Sequence, residues 1–423
     1  MSHVHQPLRY GVNYVPRKNW WYVWQDWDRG AITEDLHAIA ELGFDHIRAH
    51  CLWPVFQPDV GYISPAAVQR FTELLEIADG ANLDVVLSLL DGWLSGWAFF
   101  PAFVHSPRGM KSIYTDPVVV QAERELCTTL IRAAGGNRRL LGIDLGNEIN
   151  VLEHFVPRPT REEGDSWARD MFSCAESTRE DLLLTNGVDH NPWYRNTVFS
   201  RTALARSGSH TSVHAWVKFT GALELFPPGH IGREAIARYA VELAAAYATT
   251  PARPVWLQEF GASGEWLPEH EIIPLMEATL NRVEKVPELW GVTWWCSHDI
   301  DQSHRGFSGQ EYDMGLLDLQ NRPKPMGVHF RNRVRTDNNA RQVFSADRVA
   351  LVFDESSFDD PAERDPTMLP ETSTLLSQKL VKQFMHYLAE HENLCLLHRS
   401  RAADSTYLEE RGITRVIDNG GLQ

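Results

Sequence analysis

Two short apolar runs in the sequence each end on a glutamate. The first, Leu140–Asn150, reads Leu-Leu-Gly-Ile-Asp-Leu-Gly-Asn-Glu-Ile-Asn and places Asn147 and Glu148 directly after its apolar half. The second, Pro254–Gly261, presents Glu259 in the same way. Short apolar runs of this kind are typical of strands buried in a parallel sheet. Two carboxylates delivered by two such strands indicate acid/base or nucleophilic chemistry.

Retaining hydrolysis of a glycosidic bond needs two carboxyl groups in different protonation states. One acid protonates the leaving oxygen, and a carboxylate about 5 Å away attacks the anomeric carbon. A single glutamate at a strand end is more often a surface or helix-capping group, but two in matching contexts favour a shared site. A Ser-His-Asp hydrolase is disfavoured because no Gly-x-Ser-x-Gly motif occurs. The polar cluster His298–His304 matches no strong metal-ligand spacing, so neither a metal nor another cofactor is expected.

The segments around these runs alternate between strand and helix patterns. Apolar runs predict strands at Tyr10–Val15, Phe44–Leu52, Asp84–Leu90, Leu140–Leu145, Leu182–Thr185, His210–Trp216, Pro254–Gly261 and Leu289–Trp295. Helical spacing predicts the segments between them, such as Thr33–Leu42, which Thr33 can cap and Gly43 ends. About eight alternations in roughly 300 residues predict an α/β fold, a closed (β/α)8 TIM barrel. The alternative, an open doubly wound sheet, is weakened because no Gly-x-Gly-x-x-Gly turn follows the first strand.

The composition changes after Asn321–Pro325. We therefore predict a catalytic barrel over residues 1–330 and a small C-terminal α/β extension over residues 331–423. The extension is predicted to contain a strand at Arg348–Phe353, a helix at Thr372–Glu390 and short strands at Leu394–Leu397 and Thr414–Ile417. The apolar stripe of its helix is expected to pack either on the barrel or on a neighbouring subunit, which leaves a homo-oligomer open.

Charge and composition limit the classes of partner. The formal net charge of -16 disfavours nucleic acid, because phosphate contacts require clustered positive charge. The five cysteines are an odd number without Cys-x-x-Cys spacing, which fits free thiols in a reducing compartment. No apolar run approaches the roughly 20 residues of a membrane span and the N-terminus lacks a signal core, so a cytoplasmic protein is expected. The 15 tryptophans suit a cleft that stacks on sugar rings.

In a barrel, the residues at the carboxyl ends of the strands meet in one place. The polar and aromatic residues that satisfy this test are Arg48, Asn147, Glu148, His214, Glu259 and Trp295. Arg48 beside Glu259 would keep the pKa of that carboxyl low, whereas the acid/base Glu148 needs a raised pKa. His214 can hold either carboxylate. Because neighbouring strand residues face opposite sides, we expect Trp295 to form the floor under the sugar and Trp294 to face the helices.

The sequence resembles the retaining clan-A glycosidases, and most closely glycoside hydrolase family 5. The motifs that carry this resemblance are Gly11-Val-Asn-Tyr14, Arg48, Gly146-Asn-Glu148, His214, Gln258-Glu-Phe-Gly261 and Gly291-Val-Thr-Trp-Trp295. The resemblance implies a (β/α)8 barrel in which Glu148 is the acid/base and Glu259 the nucleophile. It also implies that Arg48, Asn147, His214 and Trp295 line the reacting subsite. Further candidates for substrate binding are Asn13, Trp20, Asp91, Trp93 and Trp216.

Two positions depart from the common pattern of that family. Asp91-Gly-Trp93 stands where a histidine is usual, and Trp216 stands where a tyrosine is usual, so substrate identity is affected more than mechanism. The segment Asn13–Trp21 is similar to a subfamily of β-mannosidases that cleave mannose from β-1,4-mannosyl-N-acetylglucosamine. We therefore expect a retaining exo-β-glycosidase, a β-mannosidase acting on small oligosaccharides, with the aromatic loops Trp20–Trp24 and Trp97–Phe103 closing one end of the cleft. An endo-acting mannanase or glucanase and a non-catalytic sugar-binding barrel are the alternatives.

Overall fold

The computed structural model describes residues 7–337, 343–358, 375–376 and 378–418. Its main sheet contains eight parallel strands: β1 (Arg9–Asn13), β2 (His46–Leu52), β3 (Asp84–Asp91), β4 (Leu140–Asp144), β5 (Leu183–Thr185), β6 (Thr211–His214), β7 (Val255–Phe260) and β8 (Leu289–Trp294). The strand order is β6-β7-β8-β1-β2-β3-β4-β5. Between β5 and β6, Ser212 Oγ donates to the Asn186 carbonyl at 2.7 Å, so the sheet nearly closes into a barrel. The predicted TIM barrel is confirmed.

A helix follows each strand of the barrel. These helices are α1 (Arg29–Glu41), α2 (Pro65–Gly80), α3 (Pro117–Ala134), α4 (Arg161–Thr178), α5 (Arg201–Leu204), α6 (Ile236–Tyr247), α7 (Glu269–Val283) and α8 (Pro325–Asp337). Side chains cap two of them: Ser64 Oγ accepts from Ala67 N, and the Asp116 carboxylate accepts from Val118 N and Val119 N. The predicted cap at Thr33 is wrong, because α1 begins four residues earlier and Asp28 caps it by accepting from Ala31 N. Pro65 and Pro117 stand at the first helical position, where no amide donor is needed.

Shorter elements occupy the loops. They are the helical turns Trp20–Tyr22, Trp53–Phe56, Ala102–Val104, Ile149–His154, Asn191–Trp193, Ala222–Leu225, Ile231–Glu234, Gly309–Tyr312, Glu355–Ser357 and Arg399–Arg401, and the two-residue strand pairs Trp93–Leu94 with Trp97–Ala98 and His105–Ser106 with Gly109–Met110. No helix of the described residues has both the length and the apolar character needed to cross a bilayer.

Aromatic and polar side chains fill the interior of the barrel around His46. His46 Nε2 lies 2.8 Å from Thr293 Oγ1, which also accepts from Trp256 Nε1 at 2.7 Å. Gly11 is required beside this group, because a Cβ there would lie 2.2 Å from the His46 ring. The barrel interior at this level is therefore a packed core and not a pore.

The C-terminal extension forms a second, three-stranded parallel sheet. Its strands are β9 (Arg348–Phe353), β10 (Leu394–His398) and β11 (Ile413–Ile417), in the order β10-β9-β11, and its helices are α9 (Lys379–Glu390) and α10 (Ser405–Glu410). The helix predicted at Thr372–Glu390 corresponds to α9, which begins at Lys379. Residues 372–374 and 377 of the predicted range lie outside the described residues. Phe384 of α9 contacts Tyr239 of α6 edge to face at 5.4 Å, so this helix packs on the barrel of its own chain.

Helix α6 is buried along its whole length between the barrel and the extension. Its alanine-rich sequence makes this geometry accessible, because small side chains let a helix be covered on both sides. Buried ion pairs cross the same interface: Arg348 contacts Glu242 of α6 at 2.7 Å and Glu288 at 2.9 Å, and Arg411 also contacts Glu288 at 2.9 Å. We propose that the barrel ends after α8, at Asp337, and that the barrel and the extension fold as one unit.

Removal of the charge on Arg348 tests this proposal. Arg348→Met leaves Glu242 and Glu288 buried with fewer positive partners, and we expect a loss of about 3–5 kcal/mol in the free energy of unfolding. All 15 tryptophans precede residue 296, so fluorescence follows the barrel while circular dichroism follows both parts. In urea, both signals should shift together to lower concentration.

Arg399→Met is the matched control, because the Arg399 side chain is 40% exposed in its pair with Asp418. In urea it should leave both transitions close to those of the wild type, because solvent screens an exposed ion pair. Separate fluorescence and circular dichroism transitions would show that the two parts unfold independently.

Candidate active site

A cavity of about 780 Å³ opens at the carboxyl ends of the barrel strands. The predicted site residues that line it are Trp93, Asn147, Glu148, Trp216, Glu259 and Trp295. The two glutamates come from the ends of β4 and β7, so the barrel brings together residues that lie more than a hundred positions apart in the chain. One carboxylate oxygen of each, together with a ring nitrogen of His214, lies within 4.8 Å of the others.

Glu148 sits at a sharp change in chain direction after β4. Its φ of 44° is in the left-handed region, which is uncommon for a residue with a side chain and often marks functional sites. Trp93 Nε1 donates to one oxygen at 3.2 Å, and His214 Nδ1 lies 3.0 Å from the other. Burial, and next the negative charge of Asp189, raise the pKa of Glu148 to about 8. A carboxyl group with this pKa can hold a proton at neutral pH and act as a general acid.

Glu259 is the last residue but one of the apolar strand β7 and is 3% exposed. Arg48 Nη1 donates to its Oε1 at 2.6 Å, and His214 Nδ1 lies 3.3 Å from its Oε2. Burial raises the pKa of Glu259 to about 7, and the positive charge of Arg48 opposes that rise. The expectation of a low pKa is therefore wrong, because burial outweighs Arg48. The expected order holds, since the pKa of Glu148 lies above that of Glu259.

The separation of the two carboxyl groups suits nucleophilic attack with retention. Retaining glycosidases place these groups about 5 Å apart, whereas inverting enzymes leave more room for a water molecule. The same three side chains, Glu148, His214 and Glu259, are also near enough to share a cation. The Arg48 guanidinium, 2.6 Å from Glu259, puts a fixed positive charge beside that position and disfavours a metal there. Metal-free chemistry stays a prediction.

Four predicted residues lie behind the cavity wall. Arg48, Asn13, His214 and Asp91 are fully buried. Asn13 Oδ1 accepts from Arg48 Nη1 at 3.0 Å, while its amide group donates to the carbonyls of Gln258 and Trp294. The Asp91 carboxylate accepts from Asn147 N at 2.8 Å. We propose that Asn13 and Asp91 position their neighbours and do not themselves bind substrate.

Tryptophans form one wall of the site. Trp295 lines the cavity, whereas Trp294 packs against Phe330 of α8 at 5.5 Å, which is the arrangement that strand alternation predicts. Trp20 is 4% exposed and lies behind Trp295, edge to face at 6.4 Å. Trp21 continues the wall by contacting Phe307 at 4.3 Å. These rings belong to one buried cluster that also contains Trp216.

Sequence reasoning missed several residues of the cavity. Asp189, His190, Asn191 and Arg195 come from the loop after β5, and Glu311 comes from the loop after β8. Asp189 accepts from Asn150 Nδ2 at 2.8 Å and from Asn191 N at 2.8 Å, which fixes the loop beside Glu148. The sequence feature that could have identified them is their position, because the polar run Asp189-His-Asn191 begins four residues after a short strand.

Comparison with solved structures gives close matches over the whole chain. A GH5_18 variant from Streptomyces cattleya, in complex with Manβ1-4GlcNAc, is 35% identical, with 97% of this chain and 98% of that chain covered and a TM-score of 0.89. A GH5_18 variant from Bifidobacterium longum subsp. longum, also in complex with Manβ1-4GlcNAc, is 29% identical, with 97% and 96% covered and a TM-score of 0.87. The exo-β-1,4-mannosidase Op5Man5 from an Opitutaceae bacterium shares the fold at 23% identity and a TM-score of 0.78, with 97% of this chain and 72% of that chain covered.

Comparisons of sequence add no relative to these structures. No family model matches the chain, and no curated protein matches it. The identity of 35% over nearly the full length of both chains, together with paired glutamates at the ends of β4 and β7, nevertheless decides the family. The chain belongs to glycoside hydrolase family 5, subfamily GH5_18, and is a glycoside hydrolase.

Proposed function

We propose that this enzyme is a retaining exo-β-mannosidase that releases mannose from short β-mannosyl oligosaccharides of the Manβ1-4GlcNAc type, as found in the core of N-glycans. The observation that carries the chemistry is the approach of Glu148 and Glu259 to within 4.8 Å at the end of the barrel. The substrate class is supported by two relatives crystallised with Manβ1-4GlcNAc.

Glu148 and Glu259 divide the first half of the reaction between them. Glu259 attacks the anomeric carbon, and a covalent glycosyl ester forms as the bond to the leaving oxygen breaks. Glu148 gives its proton to that oxygen, so the remainder of the substrate leaves as an alcohol. Asn147 lines the cavity beside Glu148, and its Oδ1 has no hydrogen-bond partner among the described residues. It is free to accept from the 2-hydroxyl, a contact that strengthens in the transition state.

The second half of the reaction uses the same two carboxyl groups in reverse. Glu148, now a carboxylate, takes a proton from water while the water oxygen attacks the anomeric carbon. The ester bond to Glu259 breaks, and mannose leaves with the configuration it had in the substrate. Both glutamates return to their starting states, so the cycle consumes only water.

The shape of the site supports exo action. Trp20, Trp21 and the rings around them form a buried wall on the Trp295 side, which closes the groove that an endo-acting enzyme would need. Trp93 donates to Glu148 and lies 5.7 Å from Phe155, which is 42% exposed. Because Glu148 protonates the leaving oxygen, we place the second sugar on this Trp93 and Phe155 side, where aromatic faces can stack on it.

The cellular location of the enzyme and the class of its partner are also part of the proposal. All five cysteines lie among the described residues as free thiols, which supports a reducing compartment and a cytoplasmic location. The net charge of -16 supports a small oligosaccharide, and not nucleic acid, as the partner.

Product analysis tests the substrate and the exo mode together. With Manβ1-4GlcNAc we expect equimolar mannose and N-acetylglucosamine, and proton NMR should show β-mannose before mutarotation. With linear β-1,4-mannan we expect mannose alone. Internal fragments from the polymer would favour the endo-acting alternative, and tight sugar binding without any product would favour the sugar-binding alternative.

Replacement of each glutamate tests the two roles. Glu148→Gln should lower kcat/KM on Manβ1-4GlcNAc by about 10²–10⁴-fold, with a far smaller loss on dinitrophenyl β-mannoside, whose leaving group needs no proton. Glu259→Gln should abolish turnover of both substrates, because the nucleophile is lost. The matched control is Glu123→Gln on α3, a buried glutamate outside the cavity that accepts from Trp167 Nε1 at 2.8 Å. Equal losses on both substrates in Glu148→Gln would contradict its role as acid.

The pH dependence follows from the two pKa values. Activity requires ionised Glu259, so kcat/KM should rise as the pH increases through about 7. It also requires protonated Glu148, so kcat/KM should fall above about 8. We expect a narrow bell whose two limbs belong to the pair. Initial rates on Manβ1-4GlcNAc should be measured from about pH 5 to about pH 10. A plateau of kcat/KM across the alkaline half of this range would contradict the assignment of Glu148 as the acid.

A further inference from the structure

A line of buried hydrogen bonds connects Asp144 to the two glutamates. Gln258 Nε2 donates to Asp144 Oδ2 at 3.2 Å, and Gln258 Oε1 lies 3.0 Å from His214 Nε2. The other ring nitrogen of His214, Nδ1, lies 3.0 Å from Glu148 Oε1 and 3.3 Å from Glu259 Oε2. In each of these hydrogen bonds one group donates and the other accepts. The roles along the whole line are fixed by Asp144, which can only accept.

Asp144 is held as a carboxylate that only accepts. Burial raises the pKa of Asp144, but Arg48 opposes this by its charge and by donating from Nε at 2.9 Å. The backbone amides of Gly187, at 2.6 Å, and Gly146, at 3.3 Å, donate to its second oxygen. Gly187 is needed for this approach, since a Cβ there would lie 2.5 Å from the carboxylate. Gln258 must therefore turn its amide NH₂ group toward Asp144.

That orientation decides the proton position on His214. The carbonyl oxygen of Gln258 faces His214 Nε2, so Nε2 must carry the hydrogen and donate it. Burial lowers the pKa of His214, so the ring is neutral at neutral pH and Nδ1 presents a lone pair. A lone pair facing two carboxyl groups is satisfied only when one of those groups is protonated. Arg48 donates to Glu259 at 2.6 Å and favours its anion, which leaves the proton to Glu148.

We propose that Gln258 is a positioning residue that fixes the Nε2–H tautomer of His214 and thereby assigns the shared proton of the site to Glu148. This rests on the proposed function, which needs Glu148 as the acid and Glu259 as the anion. Gln258 itself is fully buried, does not line the cavity and reaches the two glutamates through His214.

The charged and titratable groups around His214 come from several strands and loops. They are Arg48 of β2, Asp144 and Glu148 of β4 and the turn after it, Asp189 and His190 of the loop after β5, and Glu259 of β7. Gln258 is the neutral link between His214 and Asp144. Its replacement by another neutral residue should change the position of a proton without adding or removing a charge.

The tautomer can be measured directly in the wild-type enzyme without substrate. Long-range ¹H–¹⁵N spectra of the protein labelled with ¹⁵N-histidine separate a protonated ring nitrogen from one with a lone pair, and His214→Asn identifies the His214 signals by their loss. At pH 7 we expect His214 to carry its hydrogen on Nε2 alone. A hydrogen on Nδ1 would overturn the proposal even if no variant could be purified.

Gln258→Met removes both polar groups at nearly constant size. His214 can then take the Nδ1–H form and donate to the Glu148 carboxylate, which stabilises the anion of Glu148. The alkaline limb of kcat/KM should move down by about one to two pH units, the effect of one hydrogen bond to a charged group. The ¹⁵N spectrum should show hydrogen on Nδ1. An unchanged spectrum and an unchanged limb would overturn the proposal.

Two further variants separate this effect from simple loss of packing. Gln258→Glu still offers an acceptor to Nε2, so it should retain the Nε2–H tautomer, and an Nδ1–H form there would count against the proposal. Gln57→Met is the matched control, because Gln57 is a buried glutamine that accepts from Trp53 Nε1 and donates to the Ala122 carbonyl away from the site. It should change neither the spectrum nor the pH profile. If the wild type shows the expected tautomer but cleaves no β-mannoside, the function fails and the tautomer assignment stands.

Discussion

A single buried guanidinium organises the active-site end of this barrel. Arg48 has no exposed surface, yet it donates to Asn13 of β1, Asp144 of β4 and Glu259 of β7. Removing such a charge from water costs several kcal/mol unless paired charges and hydrogen bonds replace the lost hydration. The requirement explains why an amide and a carboxylate stand inside otherwise apolar strands. The position of Glu259 follows from the same requirement, because its carboxylate is one of the negative charges that pair with Arg48.

The two catalytic candidates differ through their partners more than through their burial. Burial raises the pKa of both, to about 8 for Glu148 and about 7 for Glu259. This order favours the proton on Glu148 over the proton on Glu259. Hydrogen-bond direction adds a second constraint, because Arg48 can only donate and a neutral His214 with hydrogen on Nε2 can only accept at Nδ1. The charges and the hydrogen bonds favour the same arrangement.

Most of the fold and the centre of the site follow from local patterns in the sequence. Apolar runs alternating with helical spacing predict the eight strands, and the strand-end rule locates Glu148 and Glu259. The two-residue period of a strand is enough to choose Trp295 over Trp294. The loop after β5 has no period, and β5 itself is only three residues long, so the positions of Asp189 and Arg195 depend on packing that no local pattern encodes. The pKa of Glu259 was misjudged for a related reason, since burial depends on the whole barrel.

The ion pairs between the barrel and the extension also depend on burial that local sequence patterns do not predict. They show that the extension is part of the packed core of the protein. Glu242 in the alanine-rich helix α6 reads as an exposed charge in the sequence, yet it is buried against Arg348. Without the extension, α6 would expose an apolar face and Glu242 would lose its partner. Glu288, the other partner of Arg348, directly precedes β8, at the end of the barrel opposite the active site. Leu375 of the extension nevertheless lines the cavity. The extension therefore contacts both ends of the barrel, so its sequence is constrained by stability at one end and by the shape of the substrate site at the other.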